Sequence, residues 1–140
     1  MARDGSYPEV HGAFDQMGLH AAQIAQDIKG SPLGQLYPEV SWENLLRKIV
    51  EMESHPFDWS AQVKQIQLPA ELIFADADSI RPEHIAAFYE ALGGGKRDAG
   101  LDGSLRSVAR LGIVPGATHY DILSTTMVAE MVSPFLASAV

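Results

Sequence analysis

From Leu19 to Ile28 the larger apolar residues recur at helical spacing, and Lys29-Gly30-Ser31-Pro32 supplies a stop, so the pattern predicts a helix there. A second helix is expected from Ser41 as N-cap, with Glu43 in its first turn. Trp42, Leu45, Leu46, Ile49 and Met52 then fall at i, i+3, i+4, i+7 spacing on one face. Residues 1–56 therefore read as helical hairpins. Beyond His55-Pro56 the pattern changes to alternating strand and helix. A short helix is predicted over Ala61–Ile66, a strand over Ala70–Ala75, and a helix beginning at Pro82 with Ile85, Phe88, Tyr89 and Leu92 on one side. That helix stops at Gly93-Gly94-Gly95, and a polar loop runs to about Leu105. A strand over Ser107–Val114 and a last helix from Thr126 to Ala137 complete the chain. Strand, helix, strand, helix with short connections implies a right-handed parallel unit, so residues 57–140 are expected to be α/β. Tyr-Pro-Glu-Val occurs at both Tyr7 and Tyr37, but the residues that follow each copy do not match, so no repeat is inferred.

Composition narrows the functional classes. The chain has 140 residues, 46% of them hydrophobic and 20% charged, the makeup of one soluble globular chain with enough apolar residues for a core. The formal charge of −8 is spread along the sequence, and cations never cluster beyond Arg47-Lys48 and Lys96-Arg97, which argues against nucleic-acid or membrane partners. No apolar run reaches membrane-spanning length and no leader-like segment opens the chain, so a cytoplasmic location is expected. Cysteine is absent, which removes thiolate nucleophiles and Cys-based metal sites.

Two residues carry the candidate chemistry. Leu72-Ile73-Phe74 leads into Ala75-Asp76-Ala77-Asp78, and Ile113-Val114 leads into Pro115-Gly116-Ala117-Thr118-His119. An Asp and a His, each just past the carboxyl end of a buried strand, can sit side by side. The carboxylate then fixes the imidazole tautomer and stabilises its protonated form. The plainer alternative is a turn-forming Asp78 and a His119 bonded to backbone. Asp76, Asp78, Glu83 and His84 do not make a calcium loop, because Ile80 stands at the third ligand position, and no metal site or cofactor is expected. Gly93-Gly94-Gly95-Lys96-Arg97 lacks the first glycine and the terminal Ser or Thr of a phosphate loop and follows a helix, so it reads as a helix stop. His11, His20 and His55 share no ligand spacing, and Ser124, Thr125 and Thr126 read as helix-capping hydroxyls.

The run Leu72-Ile73-Phe74-Ala75-Asp76-Ala77-Asp78-Ser79-Ile80-Arg81-Pro82, then a helix, a strand and Pro115-Gly116-Ala117-Thr118-His119-Tyr120, closely resembles the C-terminal part of α/β-hydrolase-fold enzymes. In that family the acid lies in Gly-x-x-Asp-x-x-x-Pro and the histidine in Pro-Gly-x-x-His. The resemblance places the acid on Asp78, the family's usual glycine on Ala75 and the histidine on His119, with Asp76 a neighbour. It spans residues 56–140, and residues 4–55 resemble the helical cap that precedes that segment. What it implies is a partial α/β-hydrolase fold: a cap-like helical region over 1–56, then a β-α-β-α part with a small parallel sheet over 57–140.

The family's nucleophile elbow, Gly-x-Ser-x-Gly, is absent: Gly30-Ser31-Pro32-Leu33-Gly34 has Pro at its centre, and no other glycine pair brackets a serine. Acid and base without a nucleophile imply a chain that is inactive when isolated and completed by a separate N-terminal segment. The alternative is a non-catalytic domain that binds a ligand or protein. The resemblance further implies a small uncharged ester or amide as substrate. A strand pair cut from a larger sheet leaves one long edge bare, so self-association, most simply as a homodimer, is expected.

Overall fold

The computed structural model describes residues 3–138, which form seven α-helices, two strands and two short 3-10 turns. They divide into two compact units, residues 7–57 and residues 58–138, the second also including residues 3–6.

The first unit is helical: α1 (Pro8–Leu19), α2 (Ala21–Gly30), α3 (Pro32–Leu36) and α4 (Trp42–Ser54). Its core is Ala21, Ala25, Trp42 and Leu46, surrounded by Met17, Ile24, Ile28 and Val40. Small residues on α2 let the indole of α4 approach. Gly18 does the same on α1, where a Cβ would come within 3.1 Å of Val50. Between α2 and α3, the Ser31 hydroxyl donates to Ile28 O (2.7 Å) and accepts from Gly34 N (3.3 Å), ending one helix and capping the next. Ser41 precedes α4 as expected, but its side chain makes no capping bond. The first turn of α4 is instead reinforced by the Glu43–Arg47 pair at 2.8 Å.

The second unit contains α5 (Ser60–Val63), β1 (Ala70–Ala77), α6 (Pro82–Ala91), β2 (Ala109–Thr118) and α7 (Thr126–Ser138). The two strands pair in parallel, from Ala70 opposite Ala109 to Ala75 opposite Val114. Alternation along each strand supplies two opposite faces. On one, Ala70, Leu72 and Ala109 pack with Val63, Phe88, Ala91 and Leu92. On the other, Ile73, Ala75, Val114 and Ala117 pack with Ile122, Val128 and Met131, and Val114 is fully buried. Gly112 leaves room for Met131, whose Sδ would stand 3.0 Å from a Cβ there.

Several boundaries differ from the sequence reading, α2 beginning at Ala21 rather than Leu19 among them. α5 is shorter than 61–66 because Gln65 and Ile66 donate to the carbonyls three residues back, at 3.0 and 3.1 Å, tightening the chain into turns. β2 begins at Ala109 because Ser107 turns its hydroxyl to the Ala109 amide (3.1 Å) and caps the strand from outside. Both strands run further than 75 and 114. After Ala75 faces Val114 the register resumes at Ala77 and Thr118, so Asp76 opposes three residues, Pro115 to Ala117, across a bulge.

Residues 3–6 lie against the segment after β1. Ser6 forms an antiparallel bridge with Ile80, Arg81 N donates to Gly5 O (2.9 Å), and the Arg81 guanidinium bonds Asp4 O. No helix among the described residues is long and apolar enough to cross a membrane.

Candidate active site

Asp78 stands one residue beyond β1, where the chain turns towards Pro82 and α6. Its side chain is only 3% exposed, and two of its bonds hold the turn. Oδ2 accepts from Ala75 N at 3.0 Å, and Oδ1 accepts from Ile80 N at 3.0 Å. Two backbone donors thus fix the carboxyl plane before any other side chain takes part.

The same Oδ1 meets Nδ1 of His119 at 2.9 Å, across 41 residues of sequence. Because a carboxylate only accepts, the proton of a neutral His119 sits on Nδ1, which leaves Nε2 as a lone-pair acceptor. The imidazole side chain is 50% exposed, and Asp78 is its sole hydrogen-bond partner among the described residues. A buried carboxylate orients an imidazole whose other nitrogen is open to an incoming group. That is the arrangement of a general base and its orienting acid.

Three further contacts hold the histidine loop. Asp76 Oδ1 accepts from Gly116 N at 3.0 Å, supplying across the bulge the bond that the strand ladder loses there. Gly116 has φ +72°, a conformation in which glycine is nearly free of cost. Beyond His119, Asp121 Oδ1 accepts from the amide (2.6 Å) and hydroxyl (2.9 Å) of Thr118, and these bonds hold its carboxyl below the usual carboxylate range. Tyr120 meets the imidazole edge-on, with ring centroids 5.8 Å apart and planes at 87°.

The structure therefore brings Asp78 and His119 together. Asp76 takes a separate task, tying down the histidine loop, which strand spacing alone did not signal. No hydroxyl among the described residues bonds His119; Thr125 turns its own to Ile122 O at 3.1 Å. No group of three or more potential metal ligands exists among the described residues. The contacts present can remove a proton from an incoming group, but covalent acyl transfer also needs a nucleophilic hydroxyl and donors for the oxyanion.

Neither a family model, nor a curated protein, nor a solved structure matches this chain.

Proposed function

We propose that this chain contributes the acid and base of an esterase-like, α/β-hydrolase-type centre, with the nucleophilic hydroxyl supplied by a segment or partner outside these 140 residues. The observation that carries the reading is the 2.9 Å bond from His119 Nδ1 to Asp78, whose side chain is 3% exposed and whose carboxyl is already fixed by two backbone amides. Nε2 of His119 takes the proton of the attacking hydroxyl, and Asp78 stabilises the resulting imidazolium. A small uncharged ester or amide is the substrate class. The isolated chain turns over no unactivated ester.

A small alcohol can stand in for the absent hydroxyl. With p-nitrophenyl butyrate and increasing methanol, the alcohol oxygen attacks the acyl carbonyl, Nε2 accepts its proton, and p-nitrophenolate leaves as methyl butyrate forms. The wild-type chain should show a methanol-dependent rate that H119A lacks and D78N reduces. Equal rates in wild type and H119A would sink the proposal.

A second reading, a non-catalytic self-associating domain, draws on a different observation. The sheet among the described residues has only two strands, and Leu111 and Ile113 of β2 remain exposed. An isolated strand pair is marginal in water and gains from pairing or coverage. In this reading two copies join into a homodimer. Sedimentation at micromolar concentration should give twice the chain mass, and a well-folded monomer would count against it.

A further inference from the structure

The loop that follows α6 lines a concave site unrelated to the Asp78–His119 pair. Gly93 and Gly95 both have positive φ, +92° and +63°, and they fold the chain back so that Lys96 and Arg97 come to the same cavity as Arg106 and Ser107. The cavity measures about 290 Å³. Tyr89 forms one wall and lies so close to Gly94 that a Cβ there would come within 2.1 Å of its ring.

Charge makes this cavity unusual for the chain. Acidic residues outnumber Lys and Arg by 18 to 10 in the sequence, yet three cations and no carboxylate line it. None of the three has a carboxylate partner among the described residues. The acids of the same loop are engaged elsewhere: Asp98 accepts from Gly100 N at 2.8 Å and Asp102 from Ser104 N at 3.0 Å. Those two carboxylates cap their own turns. Glu90 lines another cavity together with Lys96, so Arg97 and Arg106 are the cations furthest from a shared acid lining. Three like charges lining one hollow favour an anion there, and guanidinium groups match tetrahedral oxyanions through paired N–H donors. In addition, the amides of Gly95, Lys96 and Arg97 donate to nothing among the described residues.

We propose that this cavity binds a phosphate group, free or carried on a small monoester. Its volume, at the lower edge of ligand pockets, suits a compact anionic head group rather than a large molecule. Lys96, Arg97 and Arg106 supply charge, and the Ser107 hydroxyl is a further polar group in the lining. The proposal does not depend on the role of His119.

The test is titration of the full chain with inorganic phosphate and, separately, with phenyl phosphate, at low ionic strength, followed by calorimetry and amide NMR shifts. Saturable shifts confined to residues 93–107 are expected. R97A and R106A should each weaken binding about tenfold, the effect of losing one charge-assisted contact. R106K, which keeps the charge but not the fork, should fall between. Rising NaCl should weaken binding in step with screening. Tighter binding of phenyl phosphate assigns the site to a monoester; equal binding assigns it to the free anion. No saturable shift with either compound, or affinities unchanged in R97A and R106A with the remaining amide spectrum intact, would overturn the proposal.

Discussion

The Asp76 carboxylate and the Gly116 amide, 3.0 Å apart, bond across the one irregular step of the parallel strand pair. This contact ties the start of the histidine loop to β1. Replacing Asp76 by Ala should lower stability by about 1 kcal/mol, the net value of one such hydrogen bond. D76N keeps an acceptor oxygen and should restore most of it. Thermal melts give the stability, and amide exchange at His119 gives the loop. Faster exchange in D76A and near-normal exchange in D76N are expected; identical behaviour of all three proteins would show that the bond positions nothing.

Gly116 itself offers a purely backbone test. A Cβ at this position meets nothing within 4 Å, so the cost of G116A comes only from holding alanine at φ +72°. That cost is about 1 kcal/mol, and G116N should lose less because Asn tolerates the left-handed region. Urea denaturation of the two variants checks the order. An unaffected G116A would mean that the loop adopts another conformation in solution.

His84 predicts a pH dependence remote from the dyad. Burial pushes its pKa below the usual 6.5, with Arg81 acting in the same direction and Asp4 and Asp58 opposing it. Its ring packs on Gly5, where a Cβ would come within 2.3 Å. The folded chain therefore favours neutral His84, whereas the unfolded chain takes up a proton as pH falls through about 6.5. The unfolded state binds more protons in that window, so acidification from pH 7 destabilises the fold and the effect levels off below the folded pKa. Melting temperatures between pH 7 and pH 5 should fall more steeply in wild type than in H84Q. A parallel decline in both would remove His84 as the cause.

Helices α2 and α4 were legible because three or more apolar residues fall on one face, and the strand pair because apolar runs flank the helix that begins at Pro82. Asp78 and His119 were legible for a related reason: both follow such runs, and parallel pairing brings strand ends of one polarity to the same edge. The bulge was not. It depends on which residues pair in the folded sheet, and neither Pro115 nor Asp76 announces that three residues will oppose one. Ser41 shows the converse, a good capping residue whose side chain is not used. Nor does composition reveal the cation-lined hollow, since Arg106 joins Lys96 and Arg97 only through the fold of the loop between them.

Asp78 holds the His119 proton on Nδ1 and leaves Nε2 free. Long-range proton–nitrogen NMR of the imidazole, at a pH where the ring is neutral, reads this directly. The expected spectrum has a slowly exchanging Nδ1 proton at low field and an Nε2 shift typical of a bare acceptor, with the proton resonance moving upfield or vanishing in D78N. A neutral ring protonated on Nε2, or a spectrum that D78N leaves unchanged, would contradict it.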